Sequence, residues 1–283
     1  MIPQKFLLLG ANGQVGTELR RSFADAGEVI ACDRARADLS HPEKLRALVR
    51  DIRPDVILNA AAYTAVDRAE SEPDLAMLIN GTAPRVLAEE AAKTGALLVH
   101  YSTDYVFDGT KDGAWIETDA THPLSVYGKT KLAGEQGIQE TAAKYLIFRT
   151  SWVFGPYGQN FLRTMLRLGK EKPQLRIVDD QIGAPTSSSA IANATRAVLK
   201  GAADIPSGIY HMSCAGQTSW YGFARAIFTQ AATPEIIPIT TEEYPTPARR
   251  PRNSVLSNQK LKTTFRVELP SWEEALQRVL QSI

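Results

Sequence analysis

Tyr127 and Lys131 stand four residues apart in the run Tyr127-Gly128-Lys129-Thr130-Lys131. On a helix that spacing puts a phenol and an ammonium on one face. An ammonium beside a phenol favours the phenolate, bringing a group with an ordinary pKa of about 10 towards proton exchange near neutrality. Such a pair suits proton transfer at a carbon–oxygen bond. A second stretch, Gly10-Ala11-Asn12-Gly13-Gln14-Val15-Gly16, follows the apolar run Phe6-Leu7-Leu8-Leu9 and opens onto Val15-Gly16-Thr17-Glu18-Leu19. A glycine turn between strand and helix offers backbone N–H groups and a helix N-terminus to a pyrophosphate. Together the two stretches describe hydride transfer from or to a nicotinamide dinucleotide.

A third feature joins them. Glu28-Val29-Ile30-Ala31-Cys32-Asp33 ends in an acid twenty positions beyond Gly13, the separation of a carboxylate that hydrogen-bonds the adenosine ribose. Arg34 suits the adenine face, a 2′-phosphate or a solvated loop, so the residues leave NADH and NADPH both open.

The elements that must position these groups are legible as alternation. Apolar runs at Phe6–Leu9, Val29–Cys32, Val56–Ala62, Leu97–Ser102 and Tyr145–Thr150 are separated by amphipathic segments at Thr17–Ala26, Pro42–Ile52, Pro73–Thr94 and Val126–Thr141. Continuous apolar strands alternating with helices predict an α/β fold, a doubly wound Rossmann-type parallel sheet. Ligands in that architecture bind beyond the strand C-termini, where the glycine turn, Asp33, Ala60–Thr64, Ser102-Thr103-Asp104 and Trp152 all fall. We expect a dinucleotide-binding domain over residues 1–151, joined by later strands returning from the C-terminal half. Residues 152–283 form a smaller, mainly substrate-binding lobe. In it Asn160–Gly169, Ser187–Lys200 and Ser219–Ala231 read as helices, and Leu175–Val178 and Gly208–Met212 as strands.

Composition bounds the rest. At 283 residues with 44% hydrophobic and 22% charged residues the chain is an ordinary globular one. A net charge of +1 argues against a nucleic-acid or membrane surface. Cys32 and Cys214 are far apart without metal-ligand spacing, and read as buried residues in a reducing compartment. No apolar stretch approaches about 18 residues, and Met1–Lys5 shows no signal-peptide pattern, so the expected location is cytoplasmic. Asn80-Gly81-Thr82 fits the glycosylation triplet, which has no meaning there. In the basic cluster Arg249-Arg250-Pro251-Arg252, a guanidinium of Arg249 or Arg250 is expected at a substrate diphosphate.

General marks along the chain are Gly10-x-x-Gly13-x-x-Gly16, Asn59-Ala60-Ala61-Ala62 and Tyr127-x-x-x-Lys131. More specific are Ala65-Val66-Asp67-x-Ala69-Glu70, His100-Tyr101-Ser102-Thr103-Asp104-Tyr105-Val106-Phe107-Asp108-Gly109 and Arg149-Thr150-Ser151-Trp152-Val153. Asp180-Gln181-x-Gly183-Ala184-Pro185-Thr186 and Pro245-Thr246-Pro247-Ala248-Arg249-Arg250-Pro251 complete the set, in order along the chain. By these blocks the chain resembles the extended short-chain dehydrogenase/reductase superfamily and, within it, the dTDP-4-dehydrorhamnose reductase family.

Asp33 suits a ribose hydroxyl and Arg34 tolerates a phosphate, so both coenzymes are expected to work, with a modest preference for NADPH over NADH; the resemblance implies a 4-keto sugar nucleotide as substrate. It implies Gly13, Gln14 and Val15 along the pyrophosphate and Asp33 at the ribose. Asp38 and Leu39 lie near the adenine, and Ala62, Tyr63, Thr64 and Tyr101 flank the cofactor. Tyr127 is the catalytic acid, Lys131 holds the nicotinamide ribose, Thr103 bonds the sugar carbonyl region, and Asp104 and Trp152 contact substrate. A dehydratase is disfavoured because Tyr105, not a glutamate, follows Asp104. The alternatives are another nucleotide-linked 4-keto sugar, or a non-catalytic NADP-binding role like that of the regulatory subunit of methionine adenosyltransferase. Some relatives form dimers around magnesium with two glutamates. Here Glu18 remains but Ser187-Ser188-Ser189 occupy the second place, so the expectation is no metal, and a monomer or a dimer joined otherwise.

Overall fold

The computed structural model describes residues 4–201, 205–228 and 234–283. Six parallel strands form the central sheet: β1 (Gln4–Leu9), β2 (Gly27–Cys32), β3 (Val56–Asn59), β4 (Leu97–Thr103), β5 (Lys144–Thr150) and β6 (Gly208–His211). Their spatial order is β6-β5-β4-β3-β1-β2, and every pairing is parallel. Successive side chains of a strand point to opposite faces, and both faces here are apolar. Phe6, Leu8, Val56, Leu58, Val99, Leu146 and Phe148 enter one core, whereas Leu7, Leu9, Ile57, Leu98 and Ile147 enter the other. Helices α1 (Gln14–Ser22), α2 (Pro42–Ile52), α3 (Ala83–Thr94), α4 (Val126–Gln139) and α5 (Ser188–Gly201) cover the sheet, with α2 and α3 contributing to the second core and α1 and α5 to the first.

The strand order reverses between β1 and β3, on either side of which the chain leaves in opposite directions. This switch point is where a doubly wound sheet opens a crevice. Gly10 there has φ +75, and a Cβ on it would lie 2.7 Å from Ala61 N. The loops after β1 and β3 therefore touch, and only glycine permits both the backbone angle and the approach.

One expected element is subdivided. Pro73–Thr94 is helical throughout, but Leu78–Thr82 winds as a π-turn between Pro73–Met77 and α3. Pro84 lies at the start of α3; it has no N–H for the preceding turn, and a widened turn absorbs the mismatch. In the C-terminal half, Gly208–His211 does return to the main sheet beside β5. Gln174–Val178 pairs in parallel with Glu235–Ile239. The helix expected over Ser219–Ala231 spans Trp220–Ile227, and residues 229–231 lie outside the described residues.

Candidate active site

The first turn of α4 is built to meet the end of β4. Ser125 caps the helix, its Oγ accepting the Gly128 N–H at 3.1 Å, and Glu70 Oε1 accepts the Val126 N–H at 2.9 Å. A Cβ at Gly128 would run into the Tyr105 carbonyl. Glycine is thus what lets the turn Thr103–Tyr105 sit against the helix. The result sets the Tyr127 phenol beside Thr103, with the Tyr105 ring edge-on at 5.5 Å. Thr103 Oγ1 accepts the Tyr105 N–H at 3.2 Å and donates to Asp104 Oδ1 at 3.0 Å. Asp104 is buried, which pushes its carboxyl up to about 6, and its Oδ2 has no partner among the described residues.

Lys131 lies one turn further along α4 and is buried. Its Nζ donates to Tyr101 O at 2.6 Å and meets His100 Nε2 at 3.2 Å. Burial pulls the ammonium down to about 8, opposed by the charge of Glu135. The expectation that Lys131 lowers the phenol is not met. Burial dominates at Tyr127 and pushes it up to about 12. Shared helix face was read correctly; the ammonium points at β4 rather than at the phenol.

Beneath these groups lies a buried ion pair. Arg149 of β5 donates through Nε at 3.0 Å and Nη2 at 2.6 Å to the two oxygens of Glu135, and Ser102 Oγ donates to Glu135 Oε1 at 2.5 Å. Asn80, read in the sequence only as part of a glycosylation triplet, is a buried clamp. Its Oδ1 accepts the Tyr63 N–H at 2.9 Å, while Nδ2 donates to Tyr63 O at 3.0 Å and Thr130 Oγ1 at 3.2 Å. It ties the loop after β3 to α4 from within the π-turn, a form of helix common at functional sites. An asparagine and glycine inside a long helical pattern were the available signal.

The glycine cradle fits a dinucleotide pyrophosphate. Gly13 caps α1 without a side chain to satisfy the first-turn N–H groups, and no acid stands in that turn. A Cβ at Gly16 would collide with the Gly10 carbonyl. Gln14 is turned away, its Oε1 accepting from Asn160 Nδ2 at 2.8 Å. Val15 packs against the core. Asp33 is oriented by the Arg36 N–H at 3.1 Å. Arg34 reaches Asp38 at 3.3 Å, Asp38 is further fixed by Ser40, and Leu39 is buried. Arg34 and Asp38 border a cleft of about 470 Å³ to which Arg36, His41 and Lys44 add basic groups the sequence reading did not single out.

Other expected residues are placed with varying directness. Ala62 and Thr64 stand in the loop after β3, and the Tyr63 hydroxyl donates to Glu72 Oε2 at 2.7 Å. The Tyr101 ring sits in the core with its hydroxyl 2.8 Å from Thr195 Oγ1, so its carbonyl alone meets Lys131. Trp152 has φ +46 and stacks on Trp220 at 3.6 Å between centroids; a Cβ at Gly183 would intrude on its indole. Arg249 is exposed. Arg250 forms a bidentate pair with Asp67 at 3.0 and 2.8 Å, so its fork closes the C-terminal loop onto the segment after β3. Glu18 lies 3.5 Å from Arg21, and Ser187 Oγ lies 3.2 Å from Ser189 Oγ. Among the described residues no three His, Cys, Asp or Glu side chains cluster as a metal site, and no helix is long and apolar enough to cross a membrane.

A doubly wound parallel sheet with a glycine cradle at its switch point, and a Thr–Tyr–Lys set at the next strand ends, defines a Rossmann-type nicotinamide-dependent oxidoreductase. The family model described as the RmlD substrate binding domain matches residues 4–283. The chain is 52% identical to a dTDP-4-dehydrorhamnose reductase of Burkholderia thailandensis, covering 96% of each chain. It is 48% identical to that of Escherichia coli, covering 98% of this chain and 97% of the relative. The solved structure of the Bacillus anthracis dTDP-4-dehydrorhamnose reductase in complex with NADP superposes with a TM-score of 0.94 at 37% identity, covering 99% of this chain and 100% of that one. The chain belongs to the dTDP-4-dehydrorhamnose reductase family.

Proposed function

We propose that this protein reduces the C4 ketone of dTDP-4-dehydro-β-L-rhamnose to give dTDP-β-L-rhamnose, the activated sugar for surface polysaccharide. NADPH is the preferred reductant and NADH is accepted. The observation that carries this reading is the first turn of α4 packed on the Thr103–Tyr105 turn, with Tyr127 in it and Lys131 fixed one turn behind by the Tyr101 carbonyl. When bound, the dinucleotide supplies the hydride for C4. Tyr127 then protonates the developing alkoxide; burial keeps its proton in place until that moment, as a general acid requires. Thr103 bonds the same oxygen, Asp104 and Trp152 hold the sugar, and the exposed Arg249 meets the diphosphate. The left-handed backbone at Trp152 costs about 1–3 kcal/mol, held in place by the Trp220 stack. Strain of that kind marks a side chain aimed for use.

Gly10, Gly13, Gln14, Val15 and Gly16 carry the pyrophosphate, and Asp33 the ribose. Arg34 reads the 2′-phosphate once released from Asp38. Residues 1–151 bind the cofactor and 152–283 mainly the sugar nucleotide, in a cytoplasmic enzyme that works as a monomer or as a dimer without bridging metal. NADPH absorbance in the presence of dTDP-4-keto-rhamnose tests the reading. Steady consumption with formation of dTDP-rhamnose supports it. NADPH binding without consumption overturns it in favour of a non-catalytic role.

A further inference from the structure

Lys131 has a third neighbour set behind it that the reduction does not use. His100 is buried on β4, its Nε2 3.2 Å from Lys131 Nζ and its Nδ1 3.0 Å from Asn59 Nδ2 at the end of β3. Asn59 is buried too, and its Oδ1 accepts the Ala61 N–H at 3.3 Å. The three side chains thus run in line from the switch-point loop to the centre of the candidate site.

Donor inventory constrains this line. A lysine ammonium has three donors and no acceptor, so opposite a charged Lys131 the His100 Nε2 must accept. A neutral imidazole then carries its proton on Nδ1, which demands an acceptor from Asn59. The amide must turn its oxygen to Nδ1 and give up the longer bond from Ala61. A neutral Lys131 amine has a lone pair, which lets every direction reverse. Nε2–H donates to Nζ, Asn59 Nδ2 donates to Nδ1, and Oδ1 keeps the Ala61 N–H. In the charged state the ammonium, Nε2 and Nδ1–H are all paired and the loss falls on the long Ala61 bond; in the neutral state every atom of the line has a partner, the condition that favours a buried polar line.

We propose that Asn59, His100 and Lys131 form a reversible hydrogen-bond chain in which the direction of every donor follows the charge on Lys131, with His100 neutral at both ends. Going from the charged to the neutral state, an Nζ proton is taken up by Nε2 and the Nδ1 proton is released. One proton leaves for solvent in all. His100 and Asn59 are positioning residues. They hold Lys131 on β4 in either charge state and leave its remaining N–H bonds for the Tyr101 carbonyl and the cleft. The charged group acting on Lys131 is Glu135, itself paired with Arg149 from β5, and Lys131 is the charge acting on His100. Tyr127 and Asp104 are the other titratable groups of the cleft. Burial holds His100 well below its ordinary range, which keeps it neutral, and holds Lys131 at about 8, within reach of a physiological change of charge.

The use of the chain in catalysis rests on the reductase reading; its existence is tested without turnover. The cofactor-free protein, labelled with ¹⁵N-histidine, has four histidines to resolve. Ring-nitrogen NMR is followed from about pH 6 to about pH 10, bracketing the lysine change. The expected result is a neutral His100 throughout, whose protonated nitrogen changes from Nδ1 to Nε2 as pH rises through about 8. Asn59→Asp, an acceptor only, holds Nδ1–H and moves the change up by about one pH unit or more. Lys131→Met abolishes it. A single tautomer across the range, an imidazolium at the acid end, or a change that survives Lys131→Met overturns the chain. The wild-type measurement decides by itself if a variant does not fold.

Discussion

Glu135→Gln is the substitution that best separates support from chemistry in this site. The side chain keeps its shape but loses its charge. Arg149 Nε and Nη2, which now face two carboxylate oxygens, then face one oxygen and one NH₂, so a donor meets a donor. Ser102 keeps an acceptor at Oε1. Arg149 is left as a buried cation, its Nη1 already without a partner among the described residues, with the Phe107 ring at 5.1 Å beside it. Removing one member of a buried pair costs about 3–5 kcal/mol. Unfolding entropy near 60 °C is about 2.1 cal/mol/K per residue, so a chain of 283 residues loses about 5–8 °C of melting temperature. Thermal unfolding followed by circular dichroism reads this directly. The double variant Glu135→Leu/Arg149→Met should recover much of the loss, because it removes the stranded charge together with its partner. Activity should move separately. Glu135 raises Lys131, so without its carboxylate the ammonium falls further below about 8. The sign follows: a cation with a lowered pKa loses its charge earlier as pH rises, so the alkaline limb of kcat shifts to lower pH. A Glu135→Gln protein melting within about 2 °C of the wild type, or a double variant as unstable as the two single losses summed, refutes the reasoning.

Tyr127→Phe should lower kcat by roughly 10²–10⁴-fold while NADPH binding, followed by fluorescence titration, survives; near-normal turnover removes the phenol from the mechanism. Arg34→Ala should weaken NADPH more than NADH in paired KM measurements, and equal losses mean the guanidinium stays with Asp38. Chelation with EDTA should leave activity and sedimentation unchanged, since Ser187–Ser189 offer hydroxyls where a bridging magnesium needs carboxylates; a dimer that dissociates with loss of activity shows a metal site through other ligands.

The sheet was legible because its determinants are local. Each strand is a short apolar run filling both faces, and the period-two split of Phe6 and Leu8 from Leu7 and Leu9 is already present in Phe6-Leu7-Leu8-Leu9. The glycine cradle was legible for the same reason, since a turn and a helix start lie within seven consecutive residues. What stayed hidden is pairing at a distance. Arg250 stands 183 positions from Asp67, and nothing in either neighbourhood shows that the fork closes on a carboxylate rather than lying free. Trp152 and Trp220 belong to segments far apart in the chain, and the indole is held in a left-handed backbone that residue type alone disfavours. The π-turn escaped because a helical pattern gives one period, and one widened turn within it shifts the face by less than the pattern resolves.

Tyr127 and Lys131 show where local spacing stops. Four residues on a helix fix a common face, and that much held. They do not fix what a flexible four-carbon stem reaches for. Tyr101 O and His100 Nε2 decide that, and both come from β4 through the packing of α4 on the strand end. The phenol consequently keeps its proton, its pKa raised by burial to about 12, with the ammonium held behind it. For reduction this is the useful arrangement, since an acid must arrive at the alkoxide still protonated. Where the ammonium is held is therefore set by the buried partners of Lys131, groups that a Tyr-x-x-x-Lys spacing by itself does not contain.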